Sequence, residues 1–271
     1  MSRLKSVIKD WLPPVILRAI NDSQADNIRF EGDYSTWKEA ASKCTGYDAQ
    51  LILAKVLKAS LKVKNGEAAF ERDSVLFDKI EYAWPVTAGL MWAAAQSSGN
   101  LNVLDFGGAL GSSYFQNRAF LKDLSKVRWS VIEQEHYVSK GCENIQDETL
   151  KFYSSIDGCL AENQPNVVLL SSVLQYLPNP WELLRTLLAM KVEYLIIDRT
   201  PFLNSGISST IKIQSVPESI YSASYPCWFF EMAHMRNLLV NAGYKEIETF
   251  ESLDKLSPLA TWRGFIFKKV M

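Results

Sequence analysis

The residues of this chain that could do chemistry stand at the ends of apolar runs. In residues 103–111 (VLDFGGALG) an acid, Asp105, is followed closely by Gly107, Gly108 and Gly111. A strand that feeds a glycine turn and then a helix cradles nucleotide-type ligands, because glycine accepts positive φ and lets the backbone approach a bound group. The spacing fits G-x-G-x-x-G poorly and acid-x-Gly-x-small-x-Gly well, with Ala109 at the small position. Residues 127–132 form a second apolar run ending in Glu133, where a carboxylate can accept two hydrogen bonds from ribose hydroxyls. Glu135 competes for that role, and strand-end geometry favours Glu133. Residues 167–170 lead into Ser171 and Ser172, and residues 194–197 lead into Asp198 and Arg199. These are two further strands opening polar ends onto a ligand crevice.

The elements that must position these groups follow from periodicity. A helix is expected from Gly111, another over residues 181–190 with leucines at 183, 184, 187 and 188, and a third over 231–242 stopped by Gly243. Residues 244–250 and 261–268 alternate as a final antiparallel pair of strands. Ahead of residue 100 the pattern is helical from Tyr34 to Ser98. It has an N-cap at Ser35 or Thr36 with Glu39 nearby, a helix over 49–61, and one over 85–96 with Pro85 in its first turn. Residues 21–35 are polar and read as a linker. Residues 202–230, rich in aromatics, serine and proline, read as a long connection over the acceptor site. The expected architecture is α/β, a Rossmann-like doubly wound seven-stranded sheet. It divides into a helical extension, residues 1–99, and a ligand-binding domain, residues 100–271. The extension would cap the crevice and help select the acceptor; alternatively, aromatics such as Tyr34, Trp37, Phe70, Phe77, Tyr82 and Trp84 are packing residues.

Composition narrows the partners. With a net charge of −1, 48% hydrophobic and 22% charged residues, the chain can bury a full core and has no basic face for nucleic acid. Four scattered cysteines and two histidines give no zinc-site spacing, so no metal is expected and a reduced, cytoplasmic protein is. No apolar run is long enough to span a bilayer. Residues 1–20 set Arg3, Lys5, Lys9 and Arg18 against Leu4, Ile8, Trp11 and Leu12. That is the composition of a helix lying on a membrane surface, here peripheral to the inner membrane, or of a terminal helix packed on the domain or a second subunit.

The loop of Asp105, Gly107, Ala109 and Gly111, together with residues 166–181 (NVVLLSSVLQYLPNPW), resembles class I S-adenosylmethionine (SAM) dependent methyltransferases; Asn166 stands where that class has an acid. Further motifs are residues 30–40, Gly46-Tyr47-Asp48, Glu71-Arg72-Asp73, residues 197–202 and Tyr225-Pro226-x-Trp228. Through them the chain is similar to methyltransferases of bacterial surface-polysaccharide (lipopolysaccharide or O-antigen) gene clusters. The resemblance implies SAM as cofactor and methyl transfer to a small-molecule or sugar/glycan acceptor. Gly107, Gly108 and Gly111 would meet the methionine end of SAM, its carboxylate near the helix start. Asp105 would organise the loop or bind the amino group. Phe152 or Tyr153, taken to follow the third strand, would flank the adenine, and Ser171, Ser172 or Val173 would line the donor pocket. For a hydroxyl acceptor the proton acceptors to weigh are His234, Asp198 and Tyr225, with His136 better read as a packing residue. Two other readings stay open. One is a nicotinamide-dependent sugar-nucleotide oxidoreductase, which wants a better glycine fingerprint and a Tyr-x-x-x-Lys pair; the other is a non-catalytic scaffold of the same fold.

Overall fold

The computed structural model describes residues 28–46, 49–72, 74–204, 206–216, 223–254 and 256–270. The N-terminal helix expected within residues 1–20 lies outside the described residues, as do Tyr47, Asp48, Asp73 and residues 217–222. The chain runs β1 (Arg29–Tyr34), α1 (Trp37–Ala41), α2 (Ala49–Lys64), β2 (Phe70–Arg72), β3 (Val75–Phe77) and α3 (Trp84–Gln96). It continues through β4 (Asn100–Phe106), α4 (Ser112–Leu121), β5 (Lys126–Ile132), α5 (Glu135–Asn144), β6 (Leu150–Tyr153), α6 (Ile156–Glu162) and β7 (Val167–Ser171). After a single 3-10 turn, Leu174–Tyr176, come α7 (Pro180–Ala189), β8 (Tyr194–Leu203), β9 (Thr210–Val216), β10 (Ala223–Phe229), α8 (Met232–Asn241), β11 (Tyr244–Glu251) and β12 (Ala260–Lys269).

Seven strands form the central sheet in the order β11-β12-β8-β7-β4-β5-β6. β12 is antiparallel to both β8 and β11, and the other pairs are parallel. This doubly wound α/β sheet with an antiparallel closing pair is the expected class I methyltransferase fold. The inner strands are apolar on both faces, as strands covered by helices must be. Val103, Val167 and Ile196 enter one core cluster with residues of α2, α3 and α4. Their neighbours Leu104, Val168 and Leu195 enter the other, with residues of α6, α7 and α8. The period-2 alternation of a strand thus feeds two separate cores.

Local signals place several elements where the residues demand them. Thr36 Oγ1 accepts the N–H of Glu39 and caps α1, Pro85 sits in the first turn of α3, and Gly243 takes φ 80° just past α8. Asn166 occupies the foot of β7, away from the glycine loop. Its Oδ1 accepts the N–H of Asn102 at 2.8 Å, and its Nδ2 donates to Ser97 Oγ and the Asn100 carbonyl. It therefore ties β7 to the start of β4, where an acid would have no N–H to offer.

Three expectations are corrected. Residues 202–230 are not a loop: β9 and β10 pair antiparallel there, and β1 adds to β9 to make a second, three-stranded sheet. The serines and Pro226 interrupt the apolar pattern of two strands that are nonetheless mostly buried; Pro226 is tolerated because β10 is an edge strand. For the same reason residues 29–34 are strand rather than linker, polar because β1 is the other edge and mostly exposed. The extension is not purely helical, since β2 and β3 form a hairpin. Strand β1 thus joins a sheet with residues beyond 200, and α2 and α3 share a core cluster with β4 to β8. Among the described residues, no helix is long and apolar enough to cross a membrane.

Candidate functional site

The glycine loop leaves β4 at the point where the strand order reverses, between β4 and β7, which is where open α/β sheets hold ligands. Gly107 takes φ 72°, and a Cβ there would run into the side chain of Val173, just past β7. Gly108 has no room for a Cβ either, because Asp105 Oδ2 would lie 2.5 Å from it. Ala109, at the small position, carries φ 50°, and Gly111 caps α4 without a side chain. Ser172 (φ 56°), just past β7, and Arg199 (φ 52°) repeat that left-handed backbone; Arg199 lies inside β8, which continues to Leu203 instead of ending at Ile197 as expected. Such conformations cost about 1–3 kcal/mol each and gather where a site holds its shape.

Two carboxylates flank the loop. Asp105 is 1% exposed and accepts the indole N–H of Trp129 at 2.9 Å. Burial pushes its pKa up to about 7, the Trp129 bond opposing and the nearby Glu133 charge reinforcing. It is buried behind Gly108. Glu133 is half-buried at the end of β5; Oε1 accepts the N–H of Ala109 at 3.3 Å and Oε2 that of Gln134 at 2.8 Å. Burial raises its pKa and the two backbone bonds oppose. Glu135 opens α5 and is exposed, so Glu133 is the acid that reaches the loop.

A small cavity of about 40 Å³, open to solvent, lies beside the start of α4. Its walls include Phe70 and Arg72 of β2, Ser112 of α4, Ser171 of β7, and Asp198 and Arg199 of β8. Asp198 is 3% exposed; Oδ1 accepts from Ser252 Oγ at 2.8 Å, and Ser171 Oγ lies 3.4 Å from Oδ2. Burial raises its pKa, against the pull of the Arg199 charge. Arg199 itself pairs with Asp254, Nε to Oδ2 at 2.5 Å, rather than with Asp198. Arg72 stands 3.8 Å from Asp254 and 3.7 Å from Glu81. Despite burial, Asp254 is held below the usual carboxylate range by these two arginines.

The start of α4 differs from expectation. Glu71, 2% exposed, reaches it from the hairpin and accepts from Ser112 Oγ, while also accepting the N–H of Ser74 at 3.2 Å. A carboxylate of the chain therefore occupies the position expected to receive the carboxylate of a ligand.

The remaining candidates scatter. Ser172 follows β7, its N–H donating to the Asp198 carbonyl at 3.0 Å. Phe152 lies within β6 rather than after it, 5% exposed against Gly141, and is a core residue, not a flank for an adenine. Tyr153 ends β6, its hydroxyl donating to Glu162; burial and that bond push its pKa up to about 12. Tyr225 sits on β10, outside the pocket, accepting from Gln214, which also accepts from Tyr176. His234 is exposed on α8 with its ring 4.4 Å from that of Trp181, also outside the pocket. His136, half-buried on α5, contacts Tyr137. Sequence reasoning missed the roles of Glu71, Arg72, Ser252 and Asp254. Glu71 and Arg72 stood only in a resemblance motif, and no spacing signal marks the other two.

No family model matches the sequence, and no curated protein matches it. Solved structures do. One is the magnesium protoporphyrin IX methyltransferase of Synechocystis PCC 6803 with bound SAM, at 14% identity over 80% of this chain and 97% of that one, TM-score 0.45. A SAM-dependent methyltransferase from Methanosarcina mazei is 12% identical over 65% and 97%, TM-score 0.47. A third is the Burkholderia thailandensis 1,6-didemethyltoxoflavin-N1-methyltransferase, bound to 1,6-didemethyltoxoflavin and S-adenosylhomocysteine. It is 13% identical over 84% and 95%, TM-score 0.40. The [4+2]-cyclase SpnF is also similar, 12% identical over 86% and 96%, TM-score 0.48, and the likeness to these structures is one of fold.

Proposed function

We propose that this protein is a SAM-dependent methyltransferase that acts on a hydroxyl of a small-molecule or sugar/glycan acceptor. The observation that carries this reading is the loop between β4 and α4. Gly107 is closed against Val173 with positive φ, and Glu133 is held beside Ala109, partly buried with some of its surface open. A glycine cradle next to a strand-end carboxylate fits an adenosine ligand whose ribose hydroxyls the carboxylate accepts. When bound, SAM would supply a sulfonium methyl group that passes in line to the acceptor oxygen, with S-adenosylhomocysteine as the leaving group. The chain then has to align the acceptor, keep water out and take a proton. Asp198 is the residue we assign to the proton. It lines the pocket, Ser171 is beside it, and burial makes its carboxylate more basic. Tyr225 and His234, outside that pocket, are poorer candidates. A role in surface-polysaccharide biosynthesis, at the cytoplasmic face of the inner membrane, rests on the motif resemblance and would make the acceptor a glycan precursor.

The test is isothermal titration with SAM, S-adenosylhomocysteine and NADH, on wild type and Glu133→Gln. We expect both SAM-family ligands to bind and NADH not to. Glu133→Gln should weaken them about 10-fold or more, the loss of charge-assisted bonds to a ribose. Binding of NADH instead, or of neither class, overturns the reading. Turnover against nucleotide sugars and glycans, with product mass shifts, then identifies the acceptor.

A further inference from the structure

We propose that Ser252 and Asp254, in the segment between β11 and β12, are positioning residues for Asp198: Ser252 aims its carboxylate, and Asp254 draws the Arg199 guanidinium onto its own. The proposal rests on the reading above, in which Asp198 takes the acceptor's proton, and adds to it residues from a distant part of the chain. Three observations carry it.

The first is a bulge in β8. Ile197 pairs with Phe265 and Thr200 with Arg263, so Asp198 and Arg199 together oppose the single residue Gly264. A Cβ on Gly264 would stand 2.6 Å from the Ile197 carbonyl oxygen, so the partner strand needs glycine there. A bulge of this kind re-aims side chains. Two consecutive residues, which a regular strand would send to opposite faces, here both line the pocket.

The second is the grip on that bulge. Ser252 is 8% exposed, and its own N–H donates to the Trp262 carbonyl of β12 at 2.9 Å. From this fixed point its Oγ accepts the Arg199 N–H at 2.9 Å and donates to Asp198 Oδ1 at 2.8 Å. One hydroxyl therefore serves both the left-handed backbone of the bulge and the carboxylate beside it. With Oδ1 held, Oδ2 is the oxygen turned to Ser171.

The third is charge. A guanidinium bonded directly to Asp198 would favour its ionised form and make it a poor proton acceptor. The guanidinium of Arg199 goes instead to Asp254, Nε to Oδ2 at 2.5 Å, and Arg72 approaches the same carboxylate at 3.8 Å. Among the described residues, the side-chain hydrogen bonds to the Asp198 carboxylate come from the hydroxyls of Ser252 and Ser171. The charges acting on it oppose each other: Arg199 lowers its pKa and Asp254 raises it.

The experiment follows the Asp198 carboxyl by 13C NMR in protein labelled at the aspartate carboxyl carbon, its signal identified by its loss in Asp198→Asn. Wild type, Ser252→Ala, Ser252→Thr and Asp254→Asn are titrated with pH. Ser252→Ala removes a donor to the ionised form and should raise the midpoint by about one pH unit, the worth of a hydrogen bond to a charged group. Ser252→Thr keeps the hydroxyl and should leave the midpoint in place. Asp254→Asn leaves the Arg199 charge without its counter-charge and should lower it. A site that is merely loosened admits water and brings the midpoint down toward the ordinary carboxylate value, so a fall or no change in Ser252→Ala refutes the aiming role. No change or a rise in Asp254→Asn refutes the charge role. The fall in Asp254→Asn should vanish in an Arg199→Met background, and its persistence there would mark the change as loosening; that pair decides the charge role even where Ser252→Ala does not fold. S-adenosylhomocysteine titrated into wild type tests the parent reading separately. Its failure to bind removes the methyltransferase reading, while the carboxyl titration still decides the placement of Asp198.

Discussion

Replacing Asp105 by asparagine should shift stability increasingly in the variant's favour as the pH rises from 4 to 7. Asp105 is buried and accepts a hydrogen bond from Trp129, and its pKa moves from 3.8 to about 7. Between those values the folded chain keeps a proton that the unfolded chain has released. Folding is therefore favoured by protonation at low pH, and stability is lost as the pH climbs, the loss being complete above about 7. Each pKa unit is worth about 1.4 kcal/mol, so the ionised carboxylate costs roughly 4 kcal/mol at pH 8 relative to pH 4. Asparagine keeps an oxygen for the Trp129 N–H and cannot ionise. Its amide hydrogens add a penalty of about 1–3 kcal/mol if they find no acceptor, but that offset does not depend on pH. Urea unfolding of both proteins at pH 5, 6, 7 and 8 isolates the effect, because every other titrating group is common to the two. The difference in unfolding free energy should move toward the variant with pH and level off above 7. A difference that is flat across the range would refute the reasoning, and with it the reading of Asp105 as a carboxyl kept protonated by burial.

Other substitutions test the rest of the site. Ala109→Gly relieves a φ of 50° and should stabilise the fold by about 1 kcal/mol in denaturant titrations; a loss of stability would mean that the alanine methyl packs favourably enough to outweigh the strain. Asp198→Asn should lower kcat about 10²- to 10⁴-fold with donor affinity unchanged. The wild-type rate should rise with pH through a value above the usual carboxylate range, and a rate indifferent to the substitution would take the proton transfer away from Asp198. Asn166→Ala removes three hydrogen bonds at the foot of β4 and β7. It should cost about 2–4 kcal/mol of stability while SAM binding, measured by titration, stays as it was.

The legible part of this protein is the part whose contacts are local. Strands β4, β5, β7 and β8 announce themselves as apolar runs because both their faces are covered, and Gly107 and Gly111 mark the loop because no other residue suits its backbone. Glu133 was readable from its place at a strand end. The second sheet was not, since β1 and β9 are far apart in the chain and β1 carries the polar pattern of edges and linkers alike. Phe152 was misjudged by the boundary of one short strand, which put a core residue where a ligand contact was expected.

What the sequence determined by itself was the fold class, the position of the glycine loop and the acid beside it, because residue type and short spacing suffice to specify a strand, a turn and a helix start. Only the tertiary structure decided which polar groups meet. Glu71 meets Ser112 across 41 residues and Asp198 meets Ser252 across 54. Which distant side chains come together depends on strand order and on the path of the hairpin. His234 and Tyr225, equally polar in the sequence, are left outside for that same reason.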